Sequence, residues 1–238
     1  MKQHAFIVTS AMNTKFGVFS PEERLAQTID TINSITSRVP EASIILLEMA
    51  GEPLTEEQKE TLNPYIDLLL DFTENPVVKS IYESPNWDIV KNSTELMCFG
   101  AALRQLKQAE ALNDFDRVFK ISGRYVLNDK FDINYYEQAA LSNKIGIKKR
   151  MPSQFSYETT QVAEQYMSRL WSFPTNRLDT IINVYDNMLK FMSERVNAGG
   201  YVDIEHCLFK FLPQADIIEL DSTGLSGLLG PNGRQIVD

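Results

Sequence analysis

Arg117-Val118-Phe119-Lys120-Ile121-Ser122-Gly123-Arg124-Tyr125 begins as an apolar run and ends in small, basic and phenolic groups. The first part suits a buried strand. The second brings backbone amides, a guanidinium and a phenol to the rim of a sheet, and in open α/β folds ligands bind outside the carboxyl ends of the strands. Strand alternation sets Lys120, Ser122 and Arg124 on one face if the strand stays regular. Gly123 permits a bend or close backbone approach, Arg124 offers a fork that suits a diphosphate, and Tyr125 can stack on a base or sugar. The competing reading of Arg124 is a simple ion pair with Asp129 or Asp132.

Upstream of this stretch the pattern alternates strand and helix. Ala5 to Ser10 is an apolar run ending in the hydroxyls of Thr9 and Ser10, followed by a long βα loop from Ala11 to Phe19. Long loops of this kind tend to carry function. Ser20-Pro21-Glu22-Glu23 and Thr55-Glu56-Glu57-Gln58 have capping-box spacing. Between them, Ser43 to Glu48 is continuously apolar up to its terminal acid, as for a parallel strand covered on both faces. Glu48 stands where an acid can meet a ribose hydroxyl, or it is a solvated acid at a strand end. Tyr65 to Phe72 reads as a third strand after Asn63-Pro64. Asn92 and Glu95 have cap spacing ahead of Leu96, Phe99, Leu103 and Leu106, which predicts a helix start with Lys91 beside it and a plausible anion site.

Downstream, Lys144 to Lys149 and Ser168 to Phe173 read as strands. Thr175 or Asn176 caps a helix that ends at Asn197-Ala198-Gly199-Gly200. A short helix begins near Asp203, and Ile217 to Leu220 is a late strand. The glycine-rich tail from Gly224 to Arg234 reads as a folded-over loop. Glu205 and His206 fall at the short helix's start, where a carboxylate beside an imidazole serves as base and orienting partner or as metal ligands; plain solvated surface is the alternative. The basic run Lys144 to Arg150 is either a solvated strand edge or an anion contact.

Composition narrows the function. The 238 residues are 43% hydrophobic and no linker divides them, so a single α/β domain is expected, with a first half over 1–127 and a second over 128–238. A formal net charge of −9 argues against nucleic acid as a partner. Cys98 and Cys207 belong to no CxxC and read as reduced core residues. The N-terminus runs directly into a strand, with no signal-peptide core and no membrane-spanning run, which predicts a soluble, cytoplasmic protein. No Walker A, GxGxxG, GxSxG or zinc-ligand spacing is present. Two histidines leave little for a histidine-rich metal centre.

Taken together, these segments resemble the nucleotide-diphospho-sugar transferase superfamily, the GT-A glycosyltransferases. The carriers are Thr9-Ser10, Leu46-Leu47-Glu48, Lys91-Asn92-Ser93-x-Glu95, Asp203-Ile204-Glu205-His206 and above all Phe119 to Tyr125, which is similar to a segment of uncharacterised bacterial and viral glycosyltransferase-like proteins. The resemblance implies a mostly parallel central sheet flanked by helices, and transfer of a sugar from a nucleotide-sugar donor to a glycan or other hydroxyl acceptor, as in polysaccharide biosynthesis. The halves over 1–127 and 128–238 would then bind nucleotide and acceptor respectively. It assigns Thr9, Ser10 and Glu48 to the nucleoside and Lys91, Lys120 and Arg124 to the diphosphate, with Ser122, Gly123 and Tyr125 around it. Glu205 becomes the base, Asp203 its fallback, and His206 a metal ligand or orienting group. One feature departs from the family: Ser122-Gly123-Arg124 stands where Asp-x-Asp usually carries a divalent ion, and Asp114-Phe115-Asp116 precedes the strand. The departure leaves manganese or magnesium dependence open. It also keeps two other readings in play, a noncatalytic binding or assembly protein and a nucleotidyltransferase.

Overall fold

The structure is a computed structural model and describes residues 3–238; Met1 and Lys2 lie outside the described residues. Apolar runs and capped helices alternate as follows. β1 (His4–Ser10) leads through the long loop to α1 (Pro21–Arg38), β2 (Ser43–Glu48), α2 (Glu56–Leu62), a 3-10 turn at Asn63–Tyr65 and β3 (Leu68–Asp71). α3 (Pro76–Tyr82) and α4 (Trp87–Gln108) then lead to β4 (Arg117–Ser122) and β5 (Tyr125–Leu127). The second half runs α5 (Ile133–Glu137), α6 (Ala139–Ser142), β6 (Ile145–Lys148), β7 (Met151–Pro152), α7 (Tyr157–Thr160), β8 (Glu164–Gln165) and β9 (Leu170–Pro174). It closes with α8 (Leu178–Asn197), α9 (Ile204–Phe211), β10 (Ile217–Leu220), β11 (Leu225–Leu228) and β12 (Gln235–Val237).

Seven strands form one sheet in the order β10-β6-β9-β4-β1-β2-β3, drawing on both halves of the chain. Every pairing in it is parallel except those of β9, which runs antiparallel to β4 and β6. Side-chain alternation sorts the central strands onto two cores. Ala5, Ile7 and Val118 face α4, α8 and α9, where Phe99 and Tyr185 meet at 4.9 Å. Phe6, Val8, Phe119 and Ile121 face α1 and the Phe131–Tyr136 segment, with Phe6 stacked on Phe119 at 4.5 Å. An aromatic pair of this kind adds roughly 0.5–1.5 kcal/mol beyond its burial.

Both capping boxes form as their spacing predicts, at Ser20/Glu23 and Thr55/Gln58. Three expectations need correction. α4 starts at Trp87 under an Asn86 cap, because Asn86 Oδ1 accepts from the Asp88 and Ile89 amides; Lys91 to Glu95 therefore lie inside the helix, and their amides offer no anion site. α8 starts at Leu178 with no side-chain cap, Thr175–Arg177 being a 3-10 turn. The tail is a hairpin: β11 pairs antiparallel with both β12 and β5, so the last residues extend the strand that follows the organising turn. Cys98 and Cys207 are buried and free. Among the described residues no helix is long and apolar enough to cross a membrane.

Candidate active site

The parallel strands β1 and β4 end side by side, with Thr9 opposite Ser122. Beyond them the chain turns sharply, the Arg124 amide donating to Ser122 O at 2.8 Å. Gly123 packs closely at this rim: its amide bonds Thr9 O at 2.9 Å, and a Cβ there would lie 3.0 Å from Thr28 Oγ1. Because β9 is antiparallel to β4, its entry point lies at the same rim, and Ser122 N donates to Arg169 O. β9 thereby delivers Ser168 and Arg169 beside Arg124.

A cleft of about 210 Å³ sits over this rim. Its floor includes Thr9, Ser10, Ser122 and Tyr125; Thr94, Glu95 and Lys91 come from α4, and Ser168, Arg169 and Glu205 from the far side. The loop after β1 forms one wall and is held in shape from inside. Arg24 donates to the carbonyls of Phe16, Phe19 and Ala11, Asn13 exchanges hydrogen bonds with Gln58, and Lys15 reaches Tyr82 O. The tail's Leu229-Gly230-Pro231 closes the mouth, tied to the loop by Val18 N to Gly230 O. Aromatic surface is supplied by Phe16, Tyr82 and Trp87.

The charges in this cleft are unevenly satisfied. Lys120 is fully buried and pairs with Glu95 at 2.6 Å, while donating to Ser122 Oγ and Ser168 O at 2.9 Å each. It is therefore spent inside the fold and does not line the cleft. Arg124 is the opposite case. Asp129 pairs with Arg38 and Asp132 caps α5, so neither reaches Arg124. Its guanidinium makes no hydrogen bond or ion pair among the described residues, and its buried Nε has no partner. The Arg169 guanidinium is likewise without hydrogen bond or ion pair among the described residues; both guanidiniums stand near the Tyr125 ring, at 5.9 and 5.8 Å from its centre. Lys91 lies over Trp87 at 5.4 Å. Burial disfavours its ammonium, but Glu205, Glu95 and Asp203 more than offset this and raise its pKa.

Glu205 lines the cleft, and its Oε1 accepts from Ser168 Oγ at 2.6 Å. Asp203 caps α9 and binds His206 through both the backbone amide and Nδ1, at 3.0 and 2.6 Å. Burial opposes its ionisation, yet the His206 ring and amide hold its carboxyl below the usual range. His206 is fully buried and its Nε2 meets Ser153 Oγ at 2.8 Å, so both ring nitrogens are engaged. Neither residue lines the cleft, and they serve to fix the start of α9 behind Glu205.

Glu48 also leaves the set of cleft residues. Its carboxyl is fully buried, and Oε1 accepts from the Met12 and Ala50 amides at 3.1 and 3.0 Å. It ties the start of the wall loop to the end of β2. It is neither a ribose contact at the cleft nor a solvated acid. Burial pushes its pKa to about 7, with Asp71 adding to the rise and the Ser10 hydroxyl and the two amides opposing it. A folded-state pKa raised from 4.5 stabilises the fold fully below pH 4.5, and that contribution is lost as pH rises through about 7. Glu48→Gln keeps the oxygen acceptor without the charge. It is expected to remove up to about 3 kcal/mol of this pH dependence, read by urea denaturation at pH 5 and pH 8; an unchanged difference between the two would contradict the assignment.

Of the residues expected at the site, Thr9, Ser10, Lys91, Ser122, Arg124, Tyr125 and Glu205 line one cleft, while Lys120, Glu48, Asp203 and His206 support it from behind. The basic run at 144–150 is neutralised: Lys144, Lys148 and Arg150 pair with Asp216, Asp238 and Glu219. Arg169 and the tail turn escaped the sequence reading. The signal for Arg169 was its position near the start of a strand, but only the antiparallel direction of that strand brings it to this rim.

A divalent ion does not fit these residues. Among the described residues no group of three or more His, Cys, Asp or Glu could hold one. Of the two carboxylates facing the cleft, Glu95 is neutralised by Lys120, which leaves Glu205 as a lone acid, too few to hold an ion. Asp116 lies at the opposite end of β4, lining a separate hollow with His4 and Arg117.

No protein-family profile matches the sequence, and no curated protein sequence does either. Solved structures do. Core-mannan synthase A from Aspergillus fumigatus, in a Mn/GDP form, superposes over 96% of this chain and 76% of its own with a TM-score of 0.51 at 12% identity. A 4-diphosphocytidyl-2C-methyl-D-erythritol synthase from Anaerococcus prevotii aligns over 93% of this chain and 91% of its own, with a TM-score of 0.43 at 14% identity. The likeness to the mannan synthase is one of fold: the chain has a GT-A-like α/β fold.

Proposed function

We propose that the protein is a glycosyltransferase moving a sugar from a nucleotide-sugar donor to a glycan or other hydroxyl acceptor. The observation that carries this is the meeting, in one cleft, of cations that make no ion pair among the described residues with a single carboxylate free of one. Arg124, Arg169 and Lys91 face the space above the ends of β1 and β4, and Glu205 faces it from α9. In this reading the nucleoside lies over Thr9 and Ser10, and the diphosphate meets the cations. Glu205 takes the proton from the acceptor hydroxyl as its oxygen bonds the anomeric carbon. The bond from that carbon to the phosphate oxygen breaks, and the electron pair leaves with the diphosphate. Fixed positive charge at the leaving group lowers the barrier because it needs no reorganisation as charge develops.

A thermal-shift screen against UDP, GDP, CMP and dTDP and their sugar conjugates tests the reading. Ligand bound only by the folded state at one hundred times its Kd is expected to stabilise by about 2.7 kcal/mol. A shift with one nucleotide family, followed by product formation with that donor, supports transfer. Absence of a shift with all of them would defeat it.

A further inference from the structure

We infer that the paired guanidiniums of Arg124 and Arg169, with the Lys91 ammonium, form a diphosphate cradle that works without a divalent cation. This rests on the donor reading above and names the chemistry of its diphosphate subsite.

Four cationic side chains, Arg24, Lys91, Arg124 and Arg169, line the cleft against two carboxylates, in a chain whose formal net charge is −9. Such a concentration of one sign is costly in the empty protein. Arg24 shows it: burial and then the neighbouring Arg124 charge both lower its pKa. The other charges divide by what they touch. Arg24 is committed to three carbonyls of the wall loop, and Lys120 cancels Glu95. Arg124, Arg169 and Lys91 retain donors with no hydrogen-bond acceptor among the described residues, and Arg124 Nε is buried without a partner.

The backbone keeps the two guanidiniums together. Ser122 N to Arg169 O couples the two chain segments, and the Tyr125 ring, 2% exposed, lies under both side chains. Gly230 leaves room above: a Cβ there would come within 3.1 Å of Arg124 Cζ. Planar forks that bind phosphate oxygens bidentately suit this task better than point charges. A carboxylate-bound ion at the same rim would have to sit among these cations, and Ser122-Gly123-Arg124 provides it no acid.

Calorimetric titration with UDP, GDP, CDP and dTDP, each beside its monophosphate, is run in EDTA and again in manganese. The nucleotide that binds is expected to do so with a Kd that differs by less than about threefold between the two buffers. Arg169→Gln and Arg124→Gln are each expected to weaken the diphosphate about 10–100-fold, with a smaller loss for the monophosphate. Arg169→Lys, which keeps the charge but loses the fork, should fall between wild type and Arg169→Gln. Melting of the unliganded variants shows that each is folded. Binding that requires manganese would overturn the cradle while leaving the donor reading intact. Binding in EDTA that is indifferent to both arginine variants would overturn the residue assignment. No binding of any nucleotide in either buffer would remove the donor reading, and the cradle with it.

Discussion

Glu205→Gln is expected to lower turnover by about 10²–10⁴-fold, the usual worth of a positioned general base, while leaving nucleotide affinity near that of the wild type. Glu205 reaches the cleft from the first turn of α9, where Asp203 caps the helix and His206 anchors the cap. Ser168 Oγ donates to Oε1 at 2.6 Å, and Oε2 makes no hydrogen bond among the described residues. One oxygen is thus held and the other is available to an acceptor hydroxyl. A glutamine preserves the shape and can still accept from Ser168, but its amide cannot take the proton. Steady-state turnover with the donor identified by nucleotide screening, measured beside calorimetric affinity, separates the two effects. Full turnover in the variant would exclude Glu205 as the base.

The second large effect concerns the fold itself. Lys120→Met is expected to cost about 3–5 kcal/mol, because it leaves the buried Glu95 carboxylate without its counter-charge. For a chain of this size that corresponds to a fall of roughly 10 °C in Tm. The Lys120–Glu95 pair is 0% and 8% exposed at its side chains, so solvent does not screen it. Burial raises the Glu95 pKa, but the Lys120 charge and hydrogen bond reverse this and hold the carboxyl below its usual range. Replacing both partners, as Lys120→Met with Glu95→Leu, should recover most of the loss, since two apolar groups carry no desolvation cost. Calorimetric melting of the single and double variants measures the difference. A Lys120→Met protein of full stability but lost nucleotide affinity would instead make Lys120 a ligand contact.

These two residues show how far the sequence could be read. The place of Glu205 at the cleft could be read from local features: a short amphipathic helix starting near Asp203 and a carboxylate next to an imidazole. Lys120 looked equally suitable as a ligand residue, since it shares a strand face with Ser122. Its partner Glu95 lies on α4, and nothing near Lys120 in the sequence announces that α4 covers this face. Glu48 misled in the same way. A strand-end acid in a nucleotide-binding frame suggests a ribose contact, but the chain folds the wall loop over it and gives its oxygen two backbone amides.

Local sequence was enough to read β1, β2 and β4 as buried strands, the capped starts of α1 and α2, the two-sided burial of β2, and a bend or close approach at Gly123. Each depends on interactions within a helical turn or along an alternating strand, which neighbouring residues set. The tertiary structure decided which rim charges are spent and which are free. It set Lys120 against Glu95, brought Arg169 beside Arg124 through an antiparallel β9, and closed the cleft with a tail hairpin paired to β5. An ion pair with its hydrogen bond needs its two groups within about 4 Å of each other. It therefore depends on which distant segments the sheet order brings together, and no local pattern in the chain encodes that distance.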